Sequence, residues 1–121
     1  MACILLVEDD VDLRLSLAGI LARAGHLVIE ASDGEDGLTK IAKCNPDVVI
    51  SDMIMDGMEG ISTVLSIRGI HPELPILAIS GSAMYLNHAE KLGANASLQK
   101  PFSSQAFMGA VDALLMSPVQ A

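Results

Sequence analysis

Five short, mostly apolar runs, each closed by polar residues and each followed by a stretch of helical period, constrain this chain more than any other feature. The first is Cys3–Val7, followed by Glu8-Asp9-Asp10. Leu13, Leu17, Ile20, Leu21 and Ala24 then recur at helical spacing on one stripe up to Gly25. Leu27–Ala31 forms the second run. Ser32 or Asp33 caps a helix carrying Leu38, Ile41 and Ala42, which Asn45-Pro46 stops. The third run, Asp47–Ser51, ends at Asp52, and a loop with Gly57 and Gly60 leads into a helix near Ile61–Ile67. Pro75 opens the fourth run, Ile76–Ile79, which ends at Ser80-Gly81 before a helix over Ala83–Leu92 and Gly93. A weaker fifth run, Ala96–Gln99, meets Lys100-Pro101. A last helix puts Phe107, Val111, Leu114 and Leu115 on one face before Pro118.

Apolar runs without polar alternation are strands covered on both faces. Strand–helix alternation requires right-handed crossovers and a parallel sheet. The expectation is an α/β fold: one doubly wound (βα)5 domain over residues 1–121, with helices on both faces, no linker or repeat, and no output domain. The 121 residues agree with a single domain, and the 51% hydrophobic content suffices for its core.

Charge and composition exclude several functions. Acids outnumber bases 15 to 7, a net charge of −8. Direct nucleic-acid binding, which needs clustered Lys and Arg, is not expected. No basic segment suits a membrane surface, and no apolar run approaches the roughly 20 residues of a membrane span. The start MACILLVEDD has no basic region before its apolar run, so a cytoplasmic location is expected. Cys3 and Cys44 lack Cys-x-x-Cys spacing and read as two free thiols. His26, His71 and His88 read as surface residues.

Open α/β sheets bind ligands outside the carboxyl ends of their strands. In parallel register, that edge collects Glu8, Asp9 and Asp10 from the first strand, Asp52 from the third, Ser80 from the fourth and Lys100 from the fifth. Clustered carboxylates repel unless a cation neutralises them. A hard divalent ion such as Mg²⁺, which takes one or two carboxylates and keeps its waters and phosphate oxygens, suits that purpose. A carboxylate beside such a cation and a lysine is placed to attack a phosphoryl group and form an acyl phosphate. Seven of the 15 acids, Glu8, Asp9, Asp10, Asp12, Asp52, Asp56 and Glu59, fall in the two segments flanking this edge. The charge is therefore largely a local field. Asp10 itself reads as a helix-terminal acid set against the helix dipole.

The motifs LLVEDD with Arg14, VVISDMIM, ILAISGSA and LQKPF, in this order and each at a strand end, resemble the response-regulator receiver domain, the CheY-like family of two-component signalling. The likeness covers the chain from Ile4 to about Leu115. It implies a flavodoxin-like strand order of 2-1-3-4-5 and a phosphorylation-dependent switch. By resemblance, Asp52 is the phosphoacceptor. Glu8, Asp9, Asp52 and the backbone carbonyl of Ile54 hold Mg²⁺, or Mn²⁺. Lys100 pairs with the acceptor and then with the phosphoryl group, Ser80 swings toward it, and a cis peptide bond precedes Pro101. Gly60 matches the family's glycine after the acceptor. The donor would be a sensor histidine kinase, a histidine phosphotransfer protein or a small acyl phosphate. A downstream output domain or protein, or a second copy in a homodimer, would read the face of the fourth helix, fifth strand and fifth helix. The domain would catalyse only its own phosphorylation and dephosphorylation.

Three departures stand out. Met55-Asp56 replaces the family's frequent Met-Pro, apolar Ile54 implies slow loss of the phosphate, and Ser97 stands where the family usually carries an aromatic. Three rivals remain. A Mg²⁺-dependent aspartyl-phosphate phosphatase or phosphotransferase would usually show a second Asp at Ile54 and a substrate cap. A flavodoxin-like nucleotide binder would place a Ser/Thr/Gly-rich loop where this chain has three acids. An unphosphorylated pseudo-receiver would serve as an interaction module, but the acceptor, acids and lysine are intact.

Overall fold

The structure, a computed structural model, describes residues 1–53 and 59–116. Expectations placed on Ile54, Met55, Asp56, Gly57 and Pro118 lie outside the described residues. Strand and helix alternate throughout: β1 (Cys3–Val7), α1 (Val11–Arg23), β2 (Leu27–Ala31), α2 (Gly34–Cys44), β3 (Val48–Asp52), α3 (Glu59–Ile70), β4 (Ile76–Ser80), α4 (Ala83–Leu92), β5 (Ala96–Gln99) and α5 (Ser104–Met116). The strands form one sheet in the order β2-β1-β3-β4-β5, every neighbouring pair parallel.

The pleat divides the apolar residues between two cores. Leu5, Val7, Val49, Ile76 and Ala78 face α2, α3 and α4, where Ile41, Val64, Ile67 and Ala89 cover them. Ile4, Leu6, Val48, Ile50, Leu77 and Ile79 face α1 and α5, against Leu17, Leu21, Phe107, Val111 and Leu114. The three central strands β1, β3 and β4 are almost wholly buried, which is why their sequences show no alternation. Strand β2 lies at the sheet edge and is only partly buried.

Helix starts follow side-chain caps. Asp10 accepts from the amide of Leu13, Asp33 from Asp36 and Ser82 from Tyr85. Asp10 is therefore the helix-terminal acid expected of it. Gly25 (φ 92°) follows the Ala24 cap of α1, and Asn45 (φ 47°) caps α2. Helix α3 is longer at both ends than its apolar stripe suggests. Ala24 and Ala42, counted on buried stripes, are exposed.

Candidate functional site

The register assembles the polar edge. Val7 pairs with Ser51 and Asp52 with Ile79, so one step beyond Val7 lies Glu8, beside Asp52. Glu8 continues the side of β1 carrying Ile4 and Leu6, and Asp52 the side of β3 carrying Val48 and Ile50. Both carboxyls thus emerge on the α1/α5 side. Ser80 continues the opposite side, that of Ile76 and Ala78, and meets the start of α4. Glu8 and Ser80 are fully buried and Asp52 nearly so, while Asp9 is exposed.

Lys100 holds the centre. Its Nζ donates to Glu8 Oε1 at 3.1 Å and to Asp52 Oδ2 at 3.1 Å. The peptide bond between Lys100 and Pro101 is cis, and the Lys100 amide donates to the carbonyl of Ser80 at 2.8 Å. Oxygen atoms of Glu8, Asp9 and Asp52 all lie within 4.8 Å of one another. Among the described residues this is the one group of three or more acidic, histidine or cysteine side chains within reach of a single metal ion.

The charges are unbalanced, with three carboxylates facing one ammonium. Burial pushes the Glu8 carboxyl up, its contact with the Asp52 carboxyl adds to this, and the amide of Asp10 and Lys100 only partly oppose it. The result is about 7. Burial would lower the Lys100 ammonium, but its hydrogen bonds to Asp52 and Glu8 and their charges outweigh that and raise it. Oxygen-only donors, close approach and an unneutralised negative excess are the chemistry that suits a hard divalent cation.

Ser80 Oγ accepts from the Ser82 amide at 3.0 Å, which ties the hydroxyl to the cap of α4. Gln99 Nε2 donates to the carbonyl of Gly81, holding the same loop from β5. Ser97 Oγ donates to Glu90 Oε2, so a polar tie joins β5 to α4 at the position where an aromatic is usual.

Two contributors are more than motif letters. Arg14 Nη1 donates to the carbonyl of Glu8 at 2.8 Å while Nε pairs with Glu30 at 3.1 Å, fixing the end of β1. Gly60, in the first turn of α3, leaves no room for a side chain. A Cβ there would lie 2.4 Å from Met53 Cα and 2.7 Å from the carbonyl oxygen of Asp52. Only glycine lets α3 start against the backbone that carries Asp52. The proposed backbone ligand Ile54 lies outside the described residues. The three histidines stand away from the cluster: His26 accepts from the Ala2 amide, His71 is half-buried and His88 is exposed.

Residues 4–112 match the family described as the response regulator receiver domain. This chain belongs to that family. The receiver domain is 33% identical over 114 residues to the response regulator MprA of Mycobacterium tuberculosis, a match covering 93% of this chain and 50% of the relative. It therefore spans about half the length of the curated relatives it matches. Among solved structures, the receiver domain of NtrX from Brucella abortus superposes with a TM-score of 0.90 at 32% identity, covering 95% of this chain and 99% of that one. The chemotaxis response regulator CheY4 of Vibrio cholerae gives 0.88 at 30% identity, covering 95% and 99%. The receiver domain thus belongs to phosphorylation-dependent two-component signalling. Among the described residues, no helix is long and apolar enough to cross a membrane.

Proposed function

We propose that Asp52 accepts a phosphoryl group and that the domain works as a cytoplasmic switch. The observation that carries this is the buried Asp52 carboxylate at the sheet's carboxyl edge, bonded to Lys100 and clustered with Glu8 and Asp9. An Asp52 oxygen attacks phosphorus, and the bond from phosphorus to its leaving group breaks. The electron pair goes to an imidazole nitrogen of a kinase or phosphotransfer histidine, or to the oxygen of a small acyl phosphate. Hydrolysis reverses the state: water attacks phosphorus and the Asp52 carboxylate leaves. The only substrate turned over is the domain's own side chain.

Glu8, Asp9 and Asp52, with the Ile54 carbonyl, would hold Mg²⁺ or Mn²⁺. When bound, that ion supplies charge neutralisation for the transferring phosphoryl oxygens. Lys100 stays at the centre, exchanging part of its contact with Asp52 for a phosphoryl oxygen. Ser80 turns from the Ser82 amide to donate to another. The α4 cap then loses its second bond, and the change passes to the α4–β5–α5 face. A downstream protein or output domain, or a second copy of the domain, reads that face. Neither nucleic acid nor membrane is a direct partner.

Incubation with Mg²⁺ and acetyl phosphate followed by intact mass tests this. One phosphate adduct is expected, absent without the metal and absent in Asp52→Asn. An adduct that persists in Asp52→Asn would move the acceptor elsewhere and overturn the assignment.

A further inference from the structure

The opposite end of the sheet holds both cysteines. Cys3 opens β1 on the side of the pleat that carries Leu5 and Val7, the side covered by α2. Helix α2 runs back against the strands, so its last residue, Cys44, lies at their amino ends. Cys44 is one helical step from Ile41, which is buried in that same core. The chain then turns sharply through left-handed Asn45 and buried Pro46 to Asp47. Asp47 clamps the backbone of Cys3 from both sides: its amide donates to the Cys3 carbonyl at 2.7 Å, and its carboxylate accepts from the Cys3 amide at 2.8 Å.

The start of β1 and the end of α2 thus stand at one edge of the sheet, with Cys44 three residues before the Asp47 that clamps Cys3. The Cys3 thiol is pushed up by burial, by the charge of Asp47 and by the charge of Cys44. Cys3 is partly buried and Cys44 exposed, and both are free. Among the described residues no third metal-binding side chain joins them. Two thiols without a third ligand suit redox chemistry better than metal binding.

We propose that Cys3 and Cys44 form a redox-responsive pair, closing to an intramolecular disulfide that staples the end of α2 to the start of β1 when a small-molecule disulfide such as oxidised glutathione is present. Exposed Cys44 reacts first: its thiolate attacks one sulfur of the oxidant, that disulfide breaks, and one small thiol leaves with the proton Cys44 gave up. Cys3 then loses its proton and attacks the Cys44 sulfur, expelling the second small thiol. The protein loses two electrons and two protons, and the oxidant gains both. Neither residue belongs to the phosphoacceptor site, so the proposal stands apart from the function of that site.

The test uses the reduced full chain in a glutathione redox buffer of increasing oxidised fraction. The expected product is a monomer lighter by two hydrogens. Both thiols become resistant to alkylation together and are recovered with dithiothreitol. Tryptic peptides Met1–Arg14 and Cys44–Arg68 are joined. Closing so long a loop raises the melting temperature by several degrees. Cys44→Ser must remove the joined peptide and the melting shift. Accumulation of glutathione adducts without the joined peptide, linked dimers, thiols that stay alkylatable, or a melting shift that survives in Cys44→Ser would each overturn the proposal.

Discussion

The two ends of the central sheet handle polar groups in opposite ways. At the amino ends, a single cation, Arg68, is held by neutral acceptors. Arg68 of α3 donates from Nε to the carbonyl of Gly93, from Nη1 to the carbonyl of His71 and from Nη2 to Asn95 Oδ1, all within 2.8 Å. Asn95 Oδ1 also accepts from the amide of Ile76 at 2.8 Å. Gly93 has φ 128°, and a Cβ there would lie 2.6 Å from Arg68 Cγ, so the arginine folds across a glycine whose backbone would be strained with any side chain. At the carboxyl ends, one lysine faces three carboxylates. Every buried polar side-chain atom among the described residues still has a hydrogen-bond partner. The difference is therefore one of like-charge crowding and not of bonding. One end is finished as a structure; the other keeps a repulsion that a bound cation would relieve.

The largest effect should come from filling the gap beside the acceptor. Gly60→Ala places a methyl group against the backbone of Asp52 and Met53, where no flexible side chain can yield. We expect a loss of roughly 3 kcal/mol in unfolding free energy, with phosphorylation of the remaining folded protein strongly slowed. Denaturant melts and acetyl phosphate labelling check this together. A variant as stable as the parent would show that α3 can withdraw from Asp52 freely.

Next in size is a pH effect confined to the carboxyl end. Glu8 titrates at about 7 in the folded chain against about 4.5 when unfolded. Between these values the folded state holds a proton that the unfolded state has lost. The contribution of Glu8 to stability is thus fully present below pH 4.5 and is lost as pH rises through 7, amounting to about 3 kcal/mol in all. In metal-free protein, unfolding free energy should fall over this window, Glu8→Gln should flatten the fall, and Mg²⁺ should restore stability at pH 8. A pH profile identical in parent and Glu8→Gln would sink the idea that repulsion is stored here.

The converse holds at the amino ends. Arg68→Ala leaves the Gly93 and His71 carbonyls and Asn95 short of a donor and should cost about 2 kcal/mol. The loss should be independent of Mg²⁺, with the labelling rate of folded protein unchanged. A metal-dependent loss would mean the two ends are coupled.

How much of this was legible in the sequence follows from the same contrast. The strands and the gathering of Glu8, Asp9, Asp52, Ser80 and Lys100 at one edge were legible, because buried parallel strands leave unbroken apolar runs and the polar residues stand at their ends, while the strand order came only with the family resemblance. Alternation of apolar runs gave no hint of Arg68, whose acceptors are largely backbone carbonyls up to 25 residues away. Arg14 was visible as a letter of a motif, but its bond to the Glu8 carbonyl was not. Gly60 could be matched, yet the reason for it is a close approach that only coordinates reveal. Ala24 and Ala42 misled because alanine fits either side of a helix stripe. The placement of Cys3 and Cys44 at one edge needs the direction of α2, which spacing alone does not convey.

The smallest effect concerns the face between the two ends. Ser97 and Glu90 join β5 to α4 with one exposed hydrogen bond in place of a packed ring. An exposed polar tie holds little energy, so Ser97→Ala should change stability by less than about 0.5 kcal/mol. Its consequence is local: amides of α4 should exchange roughly twofold faster in the unphosphorylated protein, because the helix is then held to β5 by packing alone. If Ser80 releases the α4 cap on phosphorylation, the parent domain should show a similar loosening near Ser82 once labelled, and Ser97→Ala should add to it. Identical exchange in parent and variant, in both states, would mean that α4 is anchored by Leu86 and Ala89 in the core and that the polar tie to β5 carries no part of the signal.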